Sequence, residues 1–302
     1  MSKRSHSELS KNNVDSTDPK LEKDSMSDNE SGDENDMDVV DVDFDFFDPK
    51  EIDFHAIKRM LISSFGDDHD AFDTSELADI IVKQKLIGST VKASGEDDPY
   101  AFLTVLNMHE LSDKNVIQQI KNYLLEKSGK TRVVKEKLAE ILGETGKDVG
   151  IIFNERLMNM PVQVVPPMFK MLFEELEWAI ADKERYDFEW YIMTSPIYKE
   201  IAPTGDSDGN KGDMEEEMPG YVASGSKKSR ISDKTFYFHP EDEFIEEFVD
   251  YKFDYKFSKK DRAPDSRNSF AEFGLSPLRR CFIVHKSKLI PIHKKLESVF
   301  AP

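Results

Sequence analysis

The sequence predicts an α/β (α+β) fold in which helices flank a sheet. Runs with strand period alternate along the chain with segments whose apolar residues recur every three or four positions, the spacing of amphipathic helices. A continuous apolar run, "VGIIF" at 149–153, suits a central strand covered on both faces. A proline-marked helix follows that run, which indicates a strand-to-helix crossover.

The first half of the chain predicts a strand, two helices, a hairpin and two more helices. Residues 39–48, "VVDVDFDFFD", alternate apolar and acidic side chains as a half-buried strand does. Amphipathic helices follow at 53–65 and from Asp73 or Thr74 onward. "IGSTVKA" and "YAFLTVLNM" predict a hairpin, because Gly, Asp and Pro cluster between them. "NVIQQIKNYLL" and "VVKEKLAEIL" predict helices that cover one face of the sheet.

The crossover helix is predicted in "PPMFKMLFEELEWAI", residues 166–180. Pro167 fits its first position, and Pro166 is expected to hold Val165 extended. The apolar stripe expected to face the core comprises Phe169, Leu172, Phe173, Leu176 and Ile180. The opposite, polar face comprises Lys170, Glu174, Glu175 and Glu177. Four neighbouring methionines belong either to this structural joint or to an adaptable binding surface: Met158, Met160, Met168 and Met171.

The second half predicts strands at 186–194 and 234–238, a short helix at 241–249 and a strand at 250–257 whose charged face indicates a sheet edge. "RRCFIVHK" predicts a last buried strand, and "KLIPIHKKLESVF" a closing helix or mixed segment. Residues 1–39 are predicted to be a disordered acidic tail, since low hydrophobicity and high charge cannot offset the entropy of ordering. Residues 40–302 are predicted to form a single domain with a long, disordered loop at 202–234.

The charge of the chain indicates the kind of partner. The formal net charge is −19, and residues 24–53 alone hold thirteen acidic side chains against one lysine, a net of −12. Such a surface would repel a phosphate backbone, so direct nucleic-acid binding is not expected and a basic partner is favoured. The single cysteine, Cys281, excludes an internal disulfide and fits a reducing compartment. Neither a secretion signal nor a membrane span is expected.

The motifs of common catalytic and binding sites are absent, so we expect no catalytic, cofactor-binding or metal-binding residues. "LLEKSGKT" has Leu124 where a phosphate loop needs its first glycine. "DSDGNKGDMEEE" has Lys211 where a calcium loop needs glycine for its sharp turn. His109, His239 and His285 lie at predicted strand ends and are expected to be polar surface residues.

The remaining candidate sites depend on charge. The candidate contacts to a basic partner are Asp41, Asp43, Asp45, Glu215, Glu216 and Glu217. The candidate phosphorylation sites, each three residues before an acidic residue, are Ser25, Ser27 and Ser31. Lys227, Lys228 and Arg230 form a basic cluster that is either an import signal or a solvated turn.

One long stretch has a specific resemblance. "VGIIFNERLMNMPVQVVPPMFKMLFEELEWA", residues 149–179, closely resembles the signature of the BCCIP family. The acidic segment leading into "DVDFDFFDP", the Y-x-F at 186–188 and "RRCFIVHK" agree with that resemblance, which covers roughly residues 40–300 and is similar to the fungal branch.

The resemblance implies a mixed twisted sheet flanked by helices, similar to the GNAT acetyltransferase fold. It also implies a non-enzymatic protein without cofactors that shuttles between nucleus and cytoplasm with nuclear transport receptors. Such a protein escorts a basic ribosomal protein of the large subunit and supports nuclear export of a phosphatidylinositol-phosphate kinase. One alternative is an export adaptor chiefly for the lipid kinase.

A second alternative is an acetyl-CoA-dependent acetyltransferase, since the implied fold is that of such enzymes. These enzymes hold the coenzyme pyrophosphate on backbone N–H groups of a [QR]-x-x-G-x-[GA] turn at a helix N-terminus. Here Arg156 is followed by Leu157, Met158 and Asn159, and the prolines that come next remove donors. The sequence therefore favours a protein that is not an enzyme.

Overall fold

The computed structural model describes residues 42–143, 147–201, 231–258 and 274–300. Contacts divide the chain after Asp41, and Val42–Pro302 form one unit. The strands of the described residues are β1 (Phe44–Phe47), β2 (Ser89–Ala93), β3 (Ala101–Asn107), β4 (Val149–Arg156), β5 (Trp190–Ile201), β6 (Ile231–Tyr237), β7 (Tyr251–Tyr255) and β8 (Leu275–His285).

The helices account for most of the remaining described residues. They are α1 (Phe54–Phe65), α2 (Thr74–Lys83), α3 (Asn115–Lys127), α4 (Arg132–Ile141), α5 (Val165–Ala181), α6 (Pro240–Glu246) and α7 (Leu289–Phe300). The predicted start of α2 is confirmed, because the Asp73 carboxylate accepts hydrogen bonds from the backbone N–H groups of Ser75 and Glu76.

The sheet is open and mixed, in the order β1-β2-β3-β4-β5-β8-β7, with β6 paired beside β5. β1 to β4 form an antiparallel meander, and β4 and β5 are parallel. Parallel neighbours need a crossover, which α5 supplies. The predicted class, a sheet flanked by helices, is therefore confirmed, as are the hairpin, the buried last strand and the edge position of β7.

Each face of the sheet carries its own apolar core. Alternate residues of the central strands point to opposite faces. Phe102 and Ile151 join a core with α1 to α4, whereas Leu103 and Ile152 join a core with α5 and α7. The run "VGIIF" is buried throughout, as a central strand covered on both faces requires.

The start of the crossover helix departs from the sequence prediction. Val165 is helical rather than extended and is the first residue of α5, so Pro166 and Pro167 occupy the next two positions. A short 3₁₀ turn at Val162–Val164 leads directly into the helix, which overrides the preference of a residue that precedes proline.

The two faces of α5 also differ from the predicted pattern. Glu175, predicted to lie on the polar face, is buried and accepts a hydrogen bond from the Gly88 N–H at 2.7 Å. Ile180, predicted to be in the core stripe, is exposed. The Glu175 carboxylate is buried because it satisfies a backbone donor beside a tight turn, which periodicity alone does not reveal.

The structure describes only the end of the loop predicted at 202–234. β6 begins at Ile231, so the last four residues of the loop predicted at 202–234 lie in a strand, and 202–230 lie outside the described residues.

In the described ranges, no helix combines the length and apolar character that a membrane crossing needs.

Candidate functional site

A cleft opens where two parallel strands diverge. β4 pairs with β5 only at Val149, Gly150 and Ile151, although both strands continue well beyond these residues. Farther along, β5 pairs with β6 instead, beginning at Ile197 opposite Tyr237. The space between the diverging strands has a volume of about 860 Å³. This is the size of a ligand or peptide site rather than of a packing defect.

Strands, a helix and the turn between β2 and β3 line this β4–β5 cleft. β4 and the residues after it contribute Glu155 to Met158, and β5 contributes Pro196 to Tyr198. α1 contributes Arg59 and Ser63, and β8 contributes Arg279. The segment "NERLM", which carries the family resemblance, therefore forms one wall of the cleft.

Buried acidic and basic side chains connect the cleft lining to the start of α6. The two guanidinium nitrogens of Arg156 donate to the two carboxylate oxygens of Glu241, with an Nη2–Oε2 distance of 2.8 Å. The Ser195 hydroxyl donates to Asp242 Oδ2 at 2.5 Å. Pro240 begins α6, which fixes Glu241 and Asp242 in its first turn. Acidic side chains favour that position because of the helix dipole.

Burial shifts the proton affinities of these groups. Burial, reinforced by the charge of Glu241, raises the pKa of Asp242 well above its ordinary value, and the Ser195 hydrogen bond opposes this shift only in part. Burial lowers the pKa of His239 to about 4, so its imidazole is neutral at physiological pH. His239 is buried, and the prediction that it is a surface residue is wrong.

Arg279 lies deep in the cleft with an unused donor. Its Nη2 donates to Ser64 Oγ at 3.2 Å, and its Nη1 is buried without a hydrogen-bond partner among the described residues. Glu155 is half-buried nearby. Burial raises the pKa of the Glu155 carboxyl, while the positive charge of Arg279 lowers it. The cleft therefore offers a free N–H donor beside a carboxyl group.

The mouth of the cleft is acidic and apolar. The hairpin turn between β2 and β3 carries Glu96, Asp97 and Asp98, all exposed. The Leu157 N–H donates to the Tyr100 carbonyl at 2.8 Å, which holds the segment after β4 beside that turn. The Leu157 side chain is 42% exposed, and that of Met158 is 82% exposed. We call Glu96, Asp97, Asp98, Leu157 and Met158 the cleft mouth.

Two of the sequence-predicted acidic contacts lie on the edge of the sheet. Asp43 and Asp45 are exposed at β1, an edge strand, as the alternating pattern predicts. The Ser94 hydroxyl donates to Asp45 at 3.1 Å, so β1 and the hairpin turn are neighbours. The other predicted contacts, phosphorylation sites and basic cluster lie outside the described residues: Asp41, Glu215, Glu216, Glu217, Ser25, Ser27, Ser31, Lys227, Lys228 and Arg230.

The cleft mouth was not predicted from the sequence. "SGEDDP" predicts a turn, but nothing in its composition indicates that Glu96 and Asp98 line the same cleft as Leu157 and Met158. Of the four methionines, Met160 and Met168 are buried in the core, Met171 is half-buried and Met158 is the most exposed. Met160 and Met168 therefore belong to the structural joint, and a binding role for Met158 stays a prediction.

The helix that follows β4 is poorly suited to hold a coenzyme pyrophosphate. Pro166 and Pro167 lack N–H groups in the first turn of α5, and Val164 and Val165 are buried. A helix start can cradle phosphate only through free backbone donors. The described residues also contain no group of three His, Cys, Asp or Glu side chains placed to hold a metal ion.

An open mixed α/β sheet with a cleft between two diverging parallel strands defines the class of fold. The chain belongs to the BCCIP family, whose model matches residues 39–245. The resemblance seen in residues 149–179 is thereby confirmed.

Named relatives come from fungi. Protein bcp1 of Aspergillus oryzae is 43% identical over 265 residues, covering 86% of this chain and 84% of the relative. Protein bcp1 of Schizosaccharomyces pombe is 38% identical over 269 residues, covering 88% and 92%.

A solved structure supports the fold. The crystal structure of BCP1 from Saccharomyces cerevisiae matches with a TM-score of 0.57 and 23% identity, covering 89% of this chain and 93% of that one. At this identity the match shows the fold alone. Similarity to the GNAT fold stays a prediction.

Proposed function

We propose that this protein is a non-enzymatic carrier that shields a basic ribosomal protein of the large subunit and supports nuclear export of a phosphatidylinositol-phosphate kinase. It would shuttle between nucleus and cytoplasm with nuclear transport receptors. The observation that carries the proposal is the cleft mouth, where the exposed carboxylates of Glu96 and Asp98 and two exposed apolar side chains line one large cleft. Such a surface suits a client that is both basic and partly apolar.

The charge supports fast capture of such a client. Exposed like charges raise the local concentration of an oppositely charged partner and speed its association. Asp98 is partly neutralised, since Arg59 lies 3.0 Å away, but both side chains are more than half exposed and such pairs are weak. Glu96 and Asp97 add to the negative field at the same turn.

The N-terminus of α5 supports a role other than acetyl transfer. Two prolines and two buried valines leave little backbone there for a pyrophosphate to approach. Cys281 is buried, and burial raises the pKa of its thiol far above the ordinary value, so it is a poor nucleophile.

A charge-reversal experiment tests the carrier function. The variant Glu96→Lys, Asp97→Lys, Asp98→Lys is expected to lower the association rate with a basic ribosomal protein by about tenfold at low salt. It is also expected to leave more of the co-expressed client insoluble. The matched control, Asp113→Lys, Glu136→Lys, Glu140→Lys, makes the same charge change at other exposed sites. Equal loss in both variants would contradict a role for the cleft mouth.

An exposed apolar surface on α5 favours the alternative, an export adaptor chiefly for the lipid kinase. Trp178 and Ile180 are exposed on α5, and an apolar surface of this kind suits a cargo held by apolar contacts. High salt should deplete an electrostatically held ribosomal protein while retaining such a cargo. Retention of the lipid kinase alone from low to high salt would favour the adaptor.

A further inference from the structure

β4 has a free edge inside the cleft. One side of the strand pairs with β3 along its length, from Arg156 opposite Ala101 to Gly150 opposite Asn107. On the other side, pairing with β5 ends at Ile151. Alternate backbone N–H and C=O groups of a strand point toward its two neighbours. Residues 152–156 therefore carry backbone groups on that side that no strand of the described part of the chain pairs, and of these residues Glu155 and Arg156 line the cleft.

The neighbouring strand does not close this edge. β6 occupies the position beside β5 where β4 would continue. The backbone groups on that side of β5 therefore pair with β6, whereas the end of β4 has no partner strand among the described residues. An unpaired strand edge is a template for one more strand. The cleft volume, about 860 Å³, lies in the range of sites that hold ligands or short peptides.

A second observation comes from Arg279. The side chain is 4% exposed and lines the cleft, and its Nη1 has no partner among the described residues. A buried donor without a partner is costly, and an incoming acceptor relieves that cost. A main-chain carbonyl of a bound segment is such an acceptor.

We propose that the cleft binds an extended, basic segment of the client protein, which adds as a strand to the free edge of β4 where Glu155 and Arg156 line the cleft. This inference rests on the proposed carrier function and adds the manner of binding. Main-chain hydrogen bonds to β4 supply affinity, as in other cases of strand addition. Glu96, Asp97 and Asp98 at the mouth select basic side chains, while Leu157 and Met158 contact apolar ones.

Charge complementarity favours this occupant over others. An acidic segment would meet Glu96 and Asp98 on entry and Glu155 inside. Two of the lining arginines are already paired, Arg59 with Asp98 and Arg156 with the buried Glu241. A coenzyme would need phosphate donors that the start of α5 lacks. A basic extended segment satisfies both the edge of β4 and the charge at the mouth.

The test uses the full chain and synthetic peptides of about eight residues, the length of an ordinary strand. A blocked lysine–valine alternating peptide is expected to bind in isothermal titration calorimetry. Methylating the amide nitrogens on one edge should weaken it at least about tenfold, because the lost donors can no longer pair with β4. A glutamate–valine peptide should also bind at least about tenfold more weakly. Equal binding of the methylated peptide, or displacement of the peptide by acetyl coenzyme A, would overturn the inference.

Two variants locate the site. Met158→Lys places a positive charge at the cleft mouth and should weaken the lysine–valine peptide about fivefold. The control Val133→Lys makes the same charge change at another exposed apolar residue, on α4, and should leave the affinity unchanged. If both variants bind the peptide like the unaltered chain while a full-length client stays soluble, the inference fails and the carrier function stands.

Discussion

Lys92 Nζ lies 2.7 Å from Asp53 Oδ1, and both side chains are almost fully buried. Lys92 is on β2, and Asp53 lies just before α1, where its carboxylate also accepts from the Lys50 N–H at 2.8 Å. This ion pair connects β2 to the start of α1.

Lys92→Met is expected to lower the free energy of unfolding by about 3 kcal/mol, because it leaves the buried Asp53 carboxylate without its counter-charge. Chemical denaturation measures this change. The double variant Asp53→Leu, Lys92→Met removes both charges and should recover part of the loss. A double variant that loses the sum of the two single losses would show that the pair is not coupled.

The Asp68 carboxylate connects α3 with the segment that follows β7, although both are far from it in sequence. Its carboxylate accepts from the Ser258 N–H at 2.8 Å and the Tyr123 hydroxyl at 2.8 Å, and Lys127 lies 3.1 Å away. Asp68→Asn should cost about 3 kcal/mol of unfolding free energy. The control Asp79→Asn breaks an exposed pair with Lys83 and should cost less than about 1 kcal/mol.

Acid should weaken the Asp68 contacts. Burial raises the pKa of Asp68, but its hydrogen bonds from Ser258 and Tyr123 and the charge of Lys127 outweigh burial and hold the pKa below its ordinary value. The folded state thus favours the charged form, so this stabilisation is present above the unfolded pKa and is lost as pH falls through the folded pKa. Asp68→Asn should remove that acid dependence, and an unchanged dependence would contradict the assignment.

His239 should make stability fall as pH falls from about 6.5 to about 4. In that window the unfolded chain binds a proton at this histidine that the buried ring excludes, because its folded pKa is about 4. The full effect is about 3 kcal/mol. Denaturation curves across this pH range should show a smaller slope in His239→Gln. Phe238→Leu removes the neighbouring ring but keeps the titrating group, and should retain the original slope.

Gly150 leaves room for the side chains of Val105 and Phe188 to pack against β4 at the base of the cleft. A Cβ at this position would lie 2.7 Å from Val105 Cγ2 and 2.9 Å from Phe188 Cδ2. Gly150→Ala should therefore destabilise the fold by about 2 kcal/mol through overpacking. Gly129→Ala is the control, since a Cβ there meets nothing within 4 Å. Equal thermal midpoints for both variants would refute the close approach.

Periodicity predicted much of the fold, because an amphipathic segment must bury its apolar face whatever its neighbours are. The strand at Phe44–Phe47, the hairpin and the helices of both faces follow from that rule. The sequence predicts Glu175 and His239 to be exposed polar residues, but both are buried. Each is a polar residue buried by its particular surroundings, Glu175 by the Gly88 N–H and His239 by the wall of the cleft.

The sequence by itself determined the types of element, the acidic charge and the family signature, because these depend on local spacing and composition. Only the tertiary structure decided that β4 and β5 part after Ile151, and that Glu96 and Asp98 line one cleft with Leu157 and Met158. The physical reason is that side-chain period fixes which face of a strand is buried but not which strands pair or where pairing stops. That choice belongs to the packing of the whole sheet.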